Sequence, residues 1–308
     1  MRFVFGALVA LCLSTSVLAQ SAAEPDEILS YGSGPSQRVE VFLPAHRSPV
    51  PVVVFIPGGC YISQQGGSGE LRPVMAELRK AGVAAWSVGY RRTDEPGGTF
   101  PGTFEDVSTA IDMIRREAPR MNLDLSRVVF AGHSAGGHLA LWAAARPNID
   151  AGSPLHDPDP VRPIAVVAVA APTDIEPLRP LFAEFCGPGV FERLMGEPAT
   201  TRPDIYADTS PARLLPLRIP VRLIAGSDDE VVPPPFMREF EAQAKAAGDD
   251  AFLEVVPDAD HIDVIAAGED GWAAVQRTVL KLLDHDSQAE PRRTPAIPDE
   301  VEDGDQDG

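Results

Sequence analysis

The 308-residue sequence predicts an α/β protein with a mostly parallel central sheet flanked by helices. Short apolar runs rich in β-branched residues recur along the chain, as in strands that are covered on both faces. Segments with helical spacing of apolar residues lie between these runs, and glycine and proline mark the junctions. Because strands that alternate with helices form parallel sheets, we expect catalytic groups in the loops at the carboxyl ends of the strands.

In the first third of the chain, residues 20–36 are interpreted as a loose leader. The alternation in Arg38–Leu43 predicts an antiparallel edge strand, and the apolar run at 50–56 predicts a buried strand. The elements predicted next are a helix with Leu71, Val74, Met75 and Leu78 on one face and Gly82 at its end, a strand at 83–90, a loop at 91–102, and a helix capped by Thr103 and Asp106 with Val107, Ala110, Ile111 and Ile114 on its apolar face.

The rest of the chain continues the alternation, with one interruption. Strands are predicted at 128–131, 164–171, 221–225 and 252–256, with helices at 139–145, from Phe236 to Gly248, and at 272–283. Residues 172–216 have several prolines and no clean repeat, so we interpret them as a small cap inserted after the sixth strand; the alternative is a plain surface loop with a helix. The predicted catalytic domain therefore covers 37–284. The acidic, proline-rich segment 285–308 is predicted to be a disordered tail.

The N-terminus has the pattern of a signal peptide. Arg2 precedes an apolar run at 3–13 that is too short to span a bilayer well, and Val17 and Ala19 are the small residues of a cleavage site. We expect cleavage after Ala19 and export to the periplasm or the medium; the alternative is an uncleaved anchor.

The chain is strongly acidic, with a net charge of −19. Between Asp284 and Gly308 there are nine acidic residues and two arginines, so part of that charge belongs to the tail. Such a balance argues against nucleic acid and anionic membranes as partners. We therefore expect neither as a partner.

Signal cleavage would leave two cysteines, Cys60 and Cys186. In an oxidising compartment they can pair, and the alternative is two buried thiols. Neither Cys-x-x-Cys nor His-Glu-x-x-His occurs, so the sequence indicates no metal site.

The central motif is Gly-x-Ser-x-Gly at Gly132–Gly136, between a predicted strand and a predicted helix. A sharp turn there would place Ser134 at its tip with the hydroxyl above the sheet. The two glycines suit the turn because a β-carbon would collide with neighbouring backbone. We predict that Ser134 is a nucleophile; the alternative is a bland serine in a glycine-rich turn.

A serine nucleophile needs a base and an acid that orients it. His261 follows the last strand and is the candidate base. Asp229 follows the strand at 221–225 and is the candidate acid, preferred over Asp228 and Glu230. The remaining histidines, which lie in other loops, beside the serine or in the tail, are His46, His133, His138, His156 and His285.

An oxyanion requires preorganised N–H donors. Ala135, directly after the serine, is expected to supply one donor. The turn Pro57-Gly58-Gly59-Cys60-Tyr61 follows the strand at 50–56, and the N–H groups of Gly59 and Cys60 are expected to supply others. The alternative is that the two glycines only form a tight turn.

These motifs resemble the α/β-hydrolase esterases and lipases, in particular the kynurenine-formamidase-like enzymes. The segments that carry the resemblance are Gly132–Ala140, Pro101–Val107 and Gly58–Tyr61. The last is similar to a His-Gly-Gly-x-Trp oxyanion segment but has Pro57 in place of the histidine and Tyr61 in place of tryptophan. The order Ser134, Asp229, His261 agrees with the family.

The resemblance implies hydrolysis of carboxylic esters or N-formyl amides without a cofactor. We expect a serine carboxylesterase that cleaves small esters through an acyl-enzyme, so the expected partner is a small-molecule ester or amide substrate. The alternatives are an arylformamidase, which the expected export disfavours, and a non-catalytic binding protein on the same scaffold.

Overall fold

The computed structural model describes residues 24–45 and 48–287, without the side chains of 285–287. The predicted signal peptide, His46 and residues 288–308 of the predicted tail lie outside this part of the chain. The described residues form eight strands: β1 Glu27–Ser30, β2 Arg38–Phe42, β3 Val50–Ile56, β4 Ala84–Val88, β5 Leu123–His133, β6 Ala165–Val169, β7 Val221–Gly226 and β8 Ala251–Val256.

The described helices lie between or after these strands, and most of them match the predicted helical segments. They are α1 Arg72–Lys80, α2 Gly102–Asp112, α3 Ile114–Met121, α4 Ala135–Ala145, α5 Ile175–Phe185, α6 Val190–Met195, α7 Pro234–Ala246 and α8 Asp270–Ser287, with short 3-10 turns at Ser68–Leu71, Arg146–Asn148 and Pro211–Leu214.

All eight strands belong to one sheet, in the order β1-β2-β4-β3-β5-β6-β7-β8. Strands β3 to β8 are parallel to one another, and β2 is antiparallel to both β1 and β4. The carboxyl ends of β3, β5, β7 and β8 therefore lie at the same edge of the sheet, where the predicted site residues follow them. The predicted α/β class is confirmed.

The sheet is covered on both faces, which explains the continuous apolar runs of its strands. One buried cluster joins the sheet to the helices α2 to α7. The other joins the opposite face to α1 and α8, through side chains such as Met75 and Trp272. Every residue of α4 is buried, so this helix is apolar all round rather than amphipathic.

Four local predictions are wrong. Residues 20–36 are not loose throughout, because Glu27–Ser30 pair with β2, and β2 is consequently not an edge strand. The helix at Thr103 has no side-chain cap: the Thr103 hydroxyl donates to the carbonyls of Arg91 and Gly98 instead. The expected capping partner, Asp106, accepts the Arg91 guanidinium. The last helix continues to Ser287, so the first residues of the predicted tail are helical.

The segment at 172–216 contains α5, α6 and the turn at Pro211–Leu214, all between β6 and β7. Its buried aromatics pack against each other, with the Phe182 and Phe191 rings 4.9 Å apart. The Phe191 ring in turn lies 6.2 Å from Tyr61, in the turn after β3. The insertion is therefore anchored beside that turn.

Candidate active site

Ser134 lies at the corner between β5 and α4 in a backbone conformation with φ 52° and ψ −123°. A non-glycine residue at positive φ stores roughly 1–3 kcal/mol of strain, and such residues concentrate at functional sites. The flanking glycines are required by contact: a β-carbon on Gly132 would lie 2.1 Å from the carbonyl oxygen of Gly136. A β-carbon on Gly136 would lie 2.0 Å from that of Ile56. The sharp turn predicted from the motif is present.

The turn after β3 packs directly on this corner. A β-carbon on Gly58 would lie 3.1 Å from the Ser134 Cβ. Gly59 has φ 107°, and a β-carbon there would approach the Gln65 carbonyl oxygen to 1.8 Å, so only glycine fits. Within the described residues, the N–H groups of Gly59 and Cys60 donate to no protein acceptor. They remain available to an oxyanion beside Ser134.

Residues from other elements hold the start of this turn. The Tyr90 hydroxyl donates to the Pro57 carbonyl at 3.0 Å, and Arg92 Nη1 donates to the Gly58 carbonyl at 2.7 Å. The Arg92 guanidinium also lies over the Tyr90 ring, 4.0 Å from its centroid. These contacts support the turn even though Pro57 has no donor to contribute. The sequence did not single out Tyr90 or Arg92.

A buried chain of hydrogen bonds holds the other end of the turn. His138 Nε2 lies 2.8 Å from the Thr209 carbonyl oxygen and therefore carries the proton, since a carbonyl only accepts. His138 Nδ1 then accepts the Tyr61 hydroxyl at 2.8 Å. Burial lowers the pKa of His138 to about 4 and raises the pKa of Tyr61 well above its ordinary value. Both groups are thus neutral at neutral pH.

Asp229 and His261 meet as predicted. His261 Nδ1 lies 2.8 Å from Asp229 Oδ2, and the Asp229 side chain is fully buried. The other oxygen of Asp229 accepts the N–H groups of Val231 at 2.9 Å and Val232 at 2.8 Å. These three contacts fix the carboxylate and leave His261 Nε2 as the proton acceptor of the ring.

The structure also separates Asp229 from its two acidic neighbours. Asp228 and Glu230 are exposed, and Asp228 accepts the hydroxyl of the adjacent Ser227. The loop that carries His261 is tied to this segment, since the Asp228 N–H donates to the Ala259 carbonyl at 3.0 Å. The geometry therefore favours Asp229 as the acid.

His133, next to the nucleophile, lies under the candidate base. Its ring centroid is 4.8 Å from that of His261, and its Nε2 lies 2.8 Å from the His261 carbonyl oxygen. Burial, together with the nearby His261, lowers the pKa of His133 to about 3. His133 is thus a neutral donor that holds the backbone of the base.

Ser134 and His261 line one cavity of about 480 Å³, together with Gly58, Gly59 and Cys60. The Ser134 residue is only 4% exposed, so its hydroxyl is reached through this cavity. Two of the large exposed apolar side chains of the described residues, Phe185 (38%) and Ile262 (59%), stand at its wall. The inner wall is also largely apolar and includes Leu71, Val74, Val231 and Ile265, with Glu70 as an acidic member.

Cys60 and Cys186 form a disulfide, which resolves the alternative left open by the sequence. It links the turn after β3 to the end of α5, where Phe185 lines the cavity.

The remaining histidines have structural contacts or are not described. His156 Nδ1 lies 3.0 Å from the Ile149 carbonyl oxygen, and the side chain of His285 is among those not described. Within residues 24–45 and 48–287, no group of three or more His, Cys, Asp or Glu side chains could hold a metal ion. None of the helices in these ranges is both long and apolar enough to cross a bilayer.

Comparison with known proteins shows that much of the chain is similar to a group of esterases. The model of the BD-FAE family matches residues 39–243, which include Ser134 and Asp229. The esterase LipC of Mycobacterium tuberculosis is 30% identical over 230 residues, covering 70% of this chain and 54% of LipC. The esterase LipQ of the same organism is 26% identical over 213 residues, covering 67% of this chain and 48% of LipQ. The chain thus spans about half the length of these curated relatives.

Solved structures show the same architecture. Esterase 2 of Thermogutta terrifontis, in a form phosphorylated by paraoxon, superposes with a TM-score of 0.65 at 22% identity. The superposition covers 86% of this chain and 96% of that chain. At this identity the likeness concerns the fold, an α/β-hydrolase with a central mostly parallel sheet.

Proposed function

Because the BD-FAE model covers more than half of its length, the chain belongs to the BD-FAE family of α/β-hydrolases, and from this we propose that it is a serine carboxylesterase that cleaves small esters. One observation carries the proposal: His261, bonded to the buried Asp229 at 2.8 Å, shares a cavity with Ser134 and with the N–H groups of Gly59 and Cys60, which donate to no acceptor among the described residues.

In the proposed reaction the Ser134 hydroxyl attacks the ester carbonyl while His261 Nε2 takes its proton. Asp229 stabilises the imidazolium that forms. The N–H groups of Gly59, Cys60 and Ala135 hold the negative oxygen of the tetrahedral intermediate. Collapse releases the alcohol with the proton from His261 and leaves an acyl-serine, which water hydrolyses by the same steps in reverse.

The substrate we propose is a small molecule with an apolar portion. A cavity of about 480 Å³ lies within the size range of ordinary small-molecule sites, and its wall is largely apolar. The matched relatives LipC and LipQ are named as esterases, which favours an ester over the formamide alternative.

We also propose that the mature protein is exported. The signal-peptide pattern at 1–19 carries this proposal, and the Cys60–Cys186 disulfide supports it, because such bonds persist in oxidising compartments.

A labelling experiment tests the function. A fluorophosphonate probe is expected to label wild type once, with the serine oxygen displacing fluoride, and peptide mapping is expected to place the label on Ser134. Ser134→Ala is expected to lose the label and the hydrolysis of p-nitrophenyl acetate. Ser126→Ala, at an exposed serine bonded to Asp124, is the matched control and is expected to keep both.

Two results would contradict the proposal. A wild-type protein that is folded but neither labelled nor active would be a binding protein on a hydrolase scaffold. Turnover of a formanilide far above that of the acetate ester would make it a formamidase.

A further inference from the structure

The Cys60–Cys186 disulfide joins two segments that are 126 residues apart in the sequence. Cys60 lies in the turn that we propose to bind the oxyanion, and Cys186 directly follows α5 of the insertion. The disulfide therefore links the turn with the proposed oxyanion donor to the helix that forms part of the cavity wall.

The turn needs such a link because its backbone is unfavourable. Gly59, Cys60 and Tyr61 have φ values of 107°, 50° and 56°, so two consecutive non-glycine residues occupy the left-handed region. Such conformations persist only where the surroundings impose them. Arg92 holds Gly58 before this stretch, and His138 holds the Tyr61 side chain after it. At Cys60, between them, the disulfide supplies the tie.

The anchor at the other end is buried and packed. Cys186 is 3% exposed, and its N–H donates to the Phe182 carbonyl at 2.7 Å. The Phe182 ring packs on Phe191, which itself lies beside Tyr61. The bond thus connects the turn to a packed core and not to a free loop.

We propose that this disulfide is a positioning element of the oxyanion site, so that the oxidised protein is the fully active form. Cys60 contributes its N–H to the reaction, while its side chain, through Cys186, holds that N–H in place. The inference rests on the proposed esterase function.

Reduction of the Cys60–Cys186 disulfide is therefore expected to lower the activity. A dithiol transfers two electrons and two protons to the disulfide, leaving two thiols, and closes to its own cyclic disulfide. Cys60 lines the active-site cavity, so the reductant can reach the bond through it. Removal of the reductant and reoxidation are expected to restore the activity.

The test compares wild type with the double variant Cys60→Ala and Cys186→Ala, which keeps the N–H of residue 60. The kcat of the double variant on p-nitrophenyl acetate is expected to fall about tenfold. This is less than the roughly 10²–10³-fold loss in kcat when an oxyanion donor is removed. The loss is expected to be smaller because Arg92 and His138 still hold the two ends of the turn. KM is expected to change by less than about threefold, since the N–H acts mainly in the transition state.

Inhibition by a trifluoromethyl ketone distinguishes a role in oxyanion binding from a role in stability alone. It forms a hemiketal oxyanion with the serine, so its inhibition constant is expected to rise by the same factor as kcat/KM falls. Wild type treated with a dithiol is expected to match the double variant, and the double variant is expected to be insensitive to the dithiol.

A control loosens the insertion without touching the turn. Arg179→Gln removes the ion pair with Glu192 that joins α5 to α6. This variant is expected to keep the wild-type kcat and the wild-type inhibition constant of the ketone. The proposal would be overturned if the double variant stayed within twofold of wild type in kcat and in the inhibition constant of the trifluoromethyl ketone, and only its melting temperature fell. Absence of labelling at Ser134 in wild type would instead indicate that the esterase function itself is wrong.

Discussion

Asp229→Asn is expected to lower kcat/KM on p-nitrophenyl acetate by about 10⁴-fold. In the structure one oxygen of Asp229 accepts the N–H groups of Val231 and Val232, and the other faces His261 Nδ1. An asparagine has only one accepting oxygen, and its nitrogen donates. The two backbone donors would keep the oxygen, because leaving them unpaired in a buried site costs about 1–3 kcal/mol each.

The asparagine NH₂ group would then face His261 and force Nδ1 to act as an acceptor. The ring proton would move to Nε2, and that tautomer cannot take the proton of Ser134. A 10⁴-fold loss corresponds to about 5.4 kcal/mol of transition-state stabilisation, at about 1.36 kcal/mol for each factor of ten.

Steady-state hydrolysis measures the effect, with the melting temperature as a check on folding. Asp228→Asn removes the same charge from the exposed neighbour and is expected to stay within about threefold of wild type, as surface substitutions usually change free energies by about 0.5 kcal/mol or less. If Asp228→Asn lost the activity and Asp229→Asn kept it, the assignment of the acid would be wrong.

Three further changes test the turn after β3, a buried histidine and a buried ion pair. Gly59→Ala places a β-carbon 1.8 Å from the Gln65 carbonyl oxygen at φ 107°, so activity is expected to fall at least about 10²-fold, measured as kcat on the acetate ester with the fold checked by circular dichroism. His138 is held neutral with its pKa lowered to about 4, so below about pH 6.5 the unfolded chain binds a proton that the folded protein does not. The free energy of unfolding is therefore expected to fall as pH drops from about 6.5 to about 4, by up to about 1.4 kcal/mol per pH unit from this residue. Urea titrations at a series of pH values measure this, and the free energy of unfolding of His138→Gln is expected to depend less on pH. Arg146→Ala strips the buried guanidinium from Asp112 and is expected to lower the free energy of unfolding by about 3 kcal/mol in urea titration; a loss below about 1 kcal/mol would contradict the importance of this pair.

Much of the fold and several of the site residues could be predicted because their signals are local. Apolar runs and helical spacing are properties of neighbouring residues, and they placed most strands and helices correctly. Gly132–Gly136 specifies its own sharp turn through the absence of two β-carbons. Since the carboxyl ends of parallel strands meet at one edge, the order of the motifs was enough to predict that the Ser134, Asp229 and His261 loops lie together.

Other features depend on contacts between residues that are distant in the sequence. These contacts form only when the chain packs, so no local sequence pattern predicts them. The strand at Glu27–Ser30 exists because β2 offers it a hydrogen-bonding edge, and the alternation of its own four residues is too short to predict it. The bond between Cys60 and Cys186 required two distant segments to approach within disulfide reach. The sequence already favoured Asp229 over Asp228 as the acid, and the structure adds the physical reason, since Asp229 is buried and accepts from three donors. Spacing along the chain thus specified the elements and the order of the reactive groups, and long-range packing selected which side chain completes each contact.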